Sequence, residues 1–195
     1  MKKKKSFAIA ALILLAVAVL AVAAYFLMIR KSDGSRAMPL DELSTDGEYQ
    51  FGGLAWGASL EDVKKALPYE LTEGMKWEAD GEYIEYNADT PFELGGRSAT
   101  AAFEFHDGGL SAVKFSFHLG EDYEEWIAEQ VQTLTSLYGQ ETDKMENSSD
   151  GFASKGYRWD TENTSLQIIL MTGEKIKPSG TIGVGVKRTL FMLAF

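Results

Sequence analysis

The sequence predicts an α+β fold: an antiparallel sheet with two helices packed on one face, preceded by one N-terminal transmembrane helix. Three patterns carry this. Residues 7–29 form an uninterrupted apolar run of 23 residues. Two later segments repeat their apolar residues at helical spacing, and several others alternate apolar with polar at the period of a strand. The order helix, strands, helix, strands hints at tandem helix–strand halves.

A helix of 23 residues reaches about 34 Å, enough to cross a hydrocarbon core of about 30 Å. Lys2, Lys3, Lys4 and Lys5 precede the run, Arg30 and Lys31 follow it, and Tyr25 sits near its outer end. A cleaved signal peptide is the alternative, with Ala21-Val22-Ala23 offering small residues for cleavage. The run continues well past the usual h-region of about 7–15 residues, which favours an uncleaved anchor. The lysine block favours an N-terminus in the cytoplasm. Residues 1–31 are therefore the basic flank and anchor of a single-pass cell-membrane protein whose C-terminal domain lies outside. If the segment is cleaved, the chain is a secreted soluble binding protein.

After Lys31 there are 13 basic and 29 acidic residues, a net of −16 that the whole-chain value of −10 conceals. Such a charge repels phosphate backbones, so no nucleic-acid partner is expected, and it favours a basic one. The chain has no cysteine, which excludes disulfides, thiolate chemistry and lipidation at an N-terminal cysteine.

Residues 32–50 are polar and turn-rich, with Asp33-Gly34, Pro39 and Asp46-Gly47, and read as a flexible linker. The extracytoplasmic α+β domain is expected over residues 51–195. Ser59 caps a short helix, with Asp62 three residues on, apolar Leu60, Val63 and Leu67 on one face, and Pro68 as the stop. Tyr83-Ile84-Glu85-Tyr86 suggests a strand. Ala99, Ala101, Phe103 and Phe105 alternate with polar positions, turn at Asp107-Gly108-Gly109, and continue as Val113, Phe115 and Phe117: a hairpin with an aromatic inner and a polar outer face. A second helix is expected over residues 122–138, with Tyr123, Trp126, Ile127, Val131 and Leu134 on one side, acids at its start and Gly139 at its end. Residues 156–160, 165–172 and 181–187 complete the strands, with turns at 160–163 and 177–180. Gly183 and Gly185 fall on one side of the last strand, where they admit the close approach of another backbone or helix.

The stretch Phe51-Gly-Gly-Leu-Ala-Trp-Gly-Ala-Ser-Leu-Glu-Asp-Val, with Tyr138-Gly139 closing the second helix and Trp159 in a later strand, resembles the opening and repeat of uncharacterised bacterial membrane-anchored envelope proteins. The arrangement is also similar to the tandem helix–strand repeats of β-lactamase-inhibitor proteins and small outer-membrane-assembly lipoproteins, without the lipidated cysteine of the latter. The resemblance spans roughly residues 51–187 and implies a binding scaffold, with no functional residue carried over.

No catalytic constellation is recognisable. His106 and His118 lie nine strand residues apart, about 30 Å, too far to share an ion or a proton. Gly-x-Ser-x-Gly and Gly-Lys-Ser/Thr are absent, and the acids near residue 121 lack calcium-loop spacing. No catalytic, metal or cofactor residue is therefore assigned and no cofactor is expected. Asn147 and Asn163 open glycosylation sequons. Of the four tryptophans, Trp77 in its acidic surroundings is the candidate exposed interaction residue, and the apolar C-terminus is either a strand or a sticky tail. The expected function is a membrane-tethered extracytoplasmic binding module for a protein or envelope partner. A carboxylate-dependent envelope hydrolase is the alternative, and would require a strongly raised carboxyl pKa in a deep cleft.

Overall fold

Each of two helices is followed by a four-stranded antiparallel meander, and the meanders join edge to edge. The structure, a computed structural model, describes residues 35–149 and 151–187. The expected anchor and the apolar C-terminus lie outside them. The described residues from Arg36 onward form one compact unit. Among the described residues no helix is long and apolar enough to cross a membrane.

Helix α1 (Leu60–Ala66) begins as its capping box predicts: the Ser59 Oγ accepts from the Asp62 N–H at 3.2 Å and donates to the Asp62 carboxylate at 2.7 Å. The first meander follows as β4 (Leu71–Glu78), β5 (Glu82–Ala88), β7 (Arg97–His106) and β8 (Gly109–His118), with short β6 (Phe92–Leu94) beside the start of β7. Asp107 and Gly108 have φ of 48° and 81°, the left-handed pair that a two-residue hairpin turn needs. Helix α2 (Tyr123–Tyr138) then leads into β9 (Asp143–Ser149), β10 (Phe152–Asp160), β11 (Thr164–Gly173) and β12 (Ile176–Val186). β12 pairs with β8, so the strands run β4-β5-β7-β8-β12-β11-β10-β9.

The antiparallel α+β expectation therefore holds for the sheet, with one parallel pair at its margin: β1 (Arg36–Ala37) runs beside β6. The turn expected at 177–180 lies inside β12. The true reversal is at Gly173–Ile176, because Ser179 continues the pairing with Met171. Strands β4, β6 and β9 carry no apolar alternation long enough to read.

Both helices pack on one face of the sheet, the front. Trp126, Ile127 and Leu134 of α2 and Val63 of α1 join a core of Phe103, Phe105, Val113, Phe115, Phe117, Leu166, Ile168, Ile182 and Val184. Gly180 makes room for α2: a Cβ there would come within 2.9 Å of the Trp126 ring. Phe51 sits among Phe92, Phe103 and Phe115 at ring-centroid distances of 5.9, 5.5 and 5.5 Å.

The linker expected over residues 32–50 is corrected from Arg36 onward. Residues 36–50 are folded: β1, a 3-10 turn at Leu40–Leu43, and a hairpin of β2 (Ser44–Thr45) and β3 (Glu48–Tyr49). Met38, Leu40, Leu43 and Tyr49 are buried in the core. The Tyr138 hydroxyl donates to the Leu40 carbonyl at 2.6 Å, and the Tyr49 N–H donates to Thr164 Oγ1 at 2.8 Å. These residues are too irregularly spaced to show a period, and their burial comes from distant partners. Leu43→Ala should therefore lower stability by about 2–5 kcal/mol, as at any fully buried leucine. Chemical denaturation measures this directly, and a tether would leave the midpoint unmoved.

Candidate functional site

Because side chains alternate along a strand, a front face fixed by phenylalanines dictates which residues stand on the back. Register places them in cross-strand rows. Ala102, Lys114, Gly183, Gln167 and Arg158 form one, and Glu104, Ala112, Gly185, Ser165 and Asp160 form the next. Gly183, Gly185 and Ala112 give the middle a low floor. On one side stand Glu104 and Lys114, on the other Ser165, Gln167, Arg158 and Asp160. Neighbouring strands are about 4.8 Å apart, so Lys114 and Gln167, two strands distant, frame a trough about 10 Å wide. Gly185 is also the residue that lets β8 approach, since a Cβ there would lie 2.6 Å from the Ser111 carbonyl oxygen.

The outer face was expected to be solvent-facing, and here the structure departs from the sequence reading. Relative exposure is 1% at Glu104, 0% at Ala112 and 6% at both Lys114 and Gln167. Lys114 and Glu104 form a buried ion pair. Across the floor, Arg158 Nε donates to Asp160 at 2.5 Å, its Nη2 donates to Ser165 Oγ at 2.9 Å, and Ser165 donates to Asp160 at 2.5 Å. Among the described residues, Glu104 Oε1, Gln167 Nε2, Ser154 Oγ and His106 Nε2 are buried on this face without a hydrogen-bond partner. A buried polar atom left unpaired costs about 1–3 kcal/mol, so these mark an incomplete surface.

The trough is bordered by a stack of rings from three strands. Trp77 lies parallel to Tyr83 at 5.2 Å, and Tyr83 lies parallel to His106 at 4.4 Å. Trp77, the candidate exposed interaction residue, is half-buried in this stack, with the Lys114 ammonium 5.6 Å from its ring centroid. Burial, then the hydrogen bond to Asp80, pushes the Tyr83 phenol up to about 12. The same bond holds the Asp80 carboxyl below its usual range. His118 is exposed at the far end of the face, apart from His106, and the two histidines do not converge.

Among the described residues, two of the open clefts lie on the front side. One, of about 700 Å³, lies between residues 37–41 and α2, beside Gly95 and Gln130. The other, of about 660 Å³, lies between the start of α2 and Tyr157 and Leu170. The carboxyls with displaced titration, at Glu48, Asp80 and Glu141, line neither cleft, and all are displaced downward, opposite to a general acid. Glu48 is lowered by hydrogen bonds from Thr161 and then Thr164, which pin β3 to the β10–β11 turn. Asn163 donates to the same carboxylate and Thr164 is buried, so this sequon is part of the packing. Among the described residues no three histidine, aspartate or glutamate side chains gather to hold a metal.

No protein-family model, curated protein or solved structure matches the chain. The back face was legible only as alternate positions in strands. Nothing in the sequence pattern distinguished a polar face that is covered from one that is wet.

Two outcomes follow. Glu104→Gln leaves the Lys114 ammonium buried without its counter-charge and should cost about 3–5 kcal/mol, whereas the pair Glu104→Leu with Lys114→Met should recover most of it. Equilibrium urea unfolding of the two variants against the parent chain checks this. Tyr83 and Tyr49 both have phenols raised from 10 to about 12. A folded state that keeps its protons longer is fully favoured below pH 10 and loses that stability as pH climbs toward 12. Thermal melts across that window should fall, and Tyr83→Phe should flatten the slope.

Proposed function

We propose that the chain is a membrane-tethered binding module. Residues 7–29 anchor it with the N-terminus in the cytoplasm, the α+β domain lies outside, and the back face of the sheet engages a protein or envelope component. The observation that carries this is the incomplete polar lining of the trough: an acceptor at Glu104, a donor at Gln167 and a hydroxyl at Ser154, all buried, on a face that neither described helix covers. The resemblance to envelope binding scaffolds points the same way.

The sheet edges are poorer candidates for strand addition. β4 is interrupted by a bulge between Glu73 and Lys76, and β9 presents Asp143, Lys144 and Glu146 on an exposed strand. Irregularity and charge of this kind blunt an edge against pairing. The net charge of −16 after Lys31 favours a basic partner, with association weakened by salt.

Gln167→Leu and Ser154→Ala each remove an unpaired buried group with little change of shape, so both should leave stability equal or higher. Cross-linking co-purification of the tagged full-length chain from its own cells should recover a stoichiometric partner that both variants lose and that Lys144→Glu on β9 keeps. Retention by the back-face variants with loss through Lys144→Glu would move the surface to the edge. No stoichiometric partner, even at low salt, would overturn the binding-module reading.

A further inference from the structure

The first front cleft is a groove with α2 along one wall and residues 37–41 and 93–96 along the other. The two walls are fastened near both ends. The Trp126 indole donates to the Gly95 carbonyl at 3.1 Å, and the Tyr138 hydroxyl donates to the Leu40 carbonyl at 2.6 Å. Twelve helical residues separate these ties, about 18 Å. Gly95 and Gly96 keep the wall between them low. Gly95 has no substitute there, since a Cβ would lie 2.4 Å from Gln130 Oε1.

Three properties of this groove address a ligand. Asp41, Glu93 and Glu129 line it, no lysine or arginine does, and none of the three carboxylates is held in an ion pair among the described residues. Arg36, the neighbour of Ala37 in sequence, acts on the Tyr69 phenol instead. Gln130 also lines the groove and is only 5% exposed, yet its carboxamide has no hydrogen-bond partner among the described residues. A buried amide left in that state offers two donors and an acceptor to whatever enters. The third property is the edge of β1. The Arg36 and Met38 N–H groups donate to the Pro91 and Glu93 carbonyls, each at 2.9 Å. Alternation turns the Ala37 N–H and carbonyl away from β6, and Ala37 lines the groove.

We propose that this groove binds an extended basic peptide segment of a partner protein. Its lysine or arginine side chains meet Asp41, Glu93 and Glu129, and an apolar side chain covers Leu137, which is 44% exposed. The peptide backbone pairs with Ala37, as in strand addition, and Gln130 takes up a further amide. Carboxylates alone would accept any cation, whereas the free peptide group and the carboxamide select a chain of amides. The site lies on the front of the sheet and does not depend on the back face.

The probe is an end-capped hexapeptide alternating lysine with a photoreactive diazirine-leucine, about 20 Å long when extended. It is illuminated with the full-length chain in uncharged detergent micelles, and cross-links are mapped by mass spectrometry. Saturable cross-links should fall within residues 37–41, 93–96 and 129–137. Asp41→Asn with Glu129→Gln, both exposed positions, should raise the half-saturation concentration about fivefold, as for two incompletely buried ion pairs. Gln130→Leu should raise it about threefold while leaving the thermal midpoint equal or higher. N-methylation of the peptide's amides should raise it about tenfold. Glu121→Gln with Glu162→Gln removes the same charge at exposed sites elsewhere, and should leave it within about twofold, as should Gln167→Leu on the back face.

Unchanged binding by the Asp41–Glu129 variant overturns the proposal. Cross-links scattered over the acidic surface, or an equal loss in the Glu121–Glu162 control, do so too, because diffuse charge then holds the peptide. Equal binding of the N-methylated peptide overturns the pairing with Ala37 and Gln130, and with it the extended-chain form. Loss through Gln167→Leu moves the peptide to the back face and overturns the groove.

Discussion

The ring cluster around Phe51 is the contact on which the rest of the domain depends. Phe92, Phe103 and Phe115 must all face it, and each belongs to a different strand. A one-residue slip in β7 or β8 would turn those rings outward and bring Glu104 and Lys114 into the core, an expensive exchange that fixes the register. Once the front is fixed, the back has no freedom. The ion pair, the glycine floor and the ring stack all follow from it, although no side chain of the cluster touches them.

The readable parts of the sequence were those whose signal is local. The Ser59–Asp62 box, the Asp107-Gly108 turn and the α2 stripe are each contained in a few residues, and each appears where the spacing puts it. What stayed hidden depends on distance along the chain. Leu40 and Tyr49 look like stray apolar residues in a turn-rich stretch, and Tyr138 and Thr164, about a hundred residues away, tie them to the core. β9 is polar at every position but Met145 because it is an edge, so its sequence resembles a loop. For the candidate site, periodicity assigned Glu104, Lys114 and Gln167 to the outer side of their strands. Whether that side is dry is a property of the assembled sheet, and alternation carries no information about it.

Without disulfides the domain rests on this core and on a small number of long-range polar ties. Indole N–H groups supply several of them: Trp56 to the Tyr49 carbonyl, Trp126 to Gly95 and Trp159 to Gly139, at 3.0, 3.1 and 2.9 Å. Each joins a helix end or turn to another element, combining a large ring with a satisfied donor. The acidic surface adds ties of this kind at Glu48, held by Thr161 and Thr164, and at Asp122, paired with Arg97. Its ion pairs at Glu61–Lys65 and Glu73–Lys76 are exposed and local.

The pairing of β12 with β8 sets an order for biosynthesis. The strand at the centre of the sheet is the last of the described strands to be made, and it must enter between two strands already present. Until residues 176–186 emerge, the first meander carries an open edge along β8, with Val113 and Phe115 lacking the neighbours they acquire from Val184 and Ile182. Nascent chains of this protein therefore expose an adhesive strand edge from the completion of β8 at His118 until β12 is made, the interval in which a holding chaperone matters most. Closure of the sheet waits on contacts some seventy residues apart, a topology that folds slowly for its size.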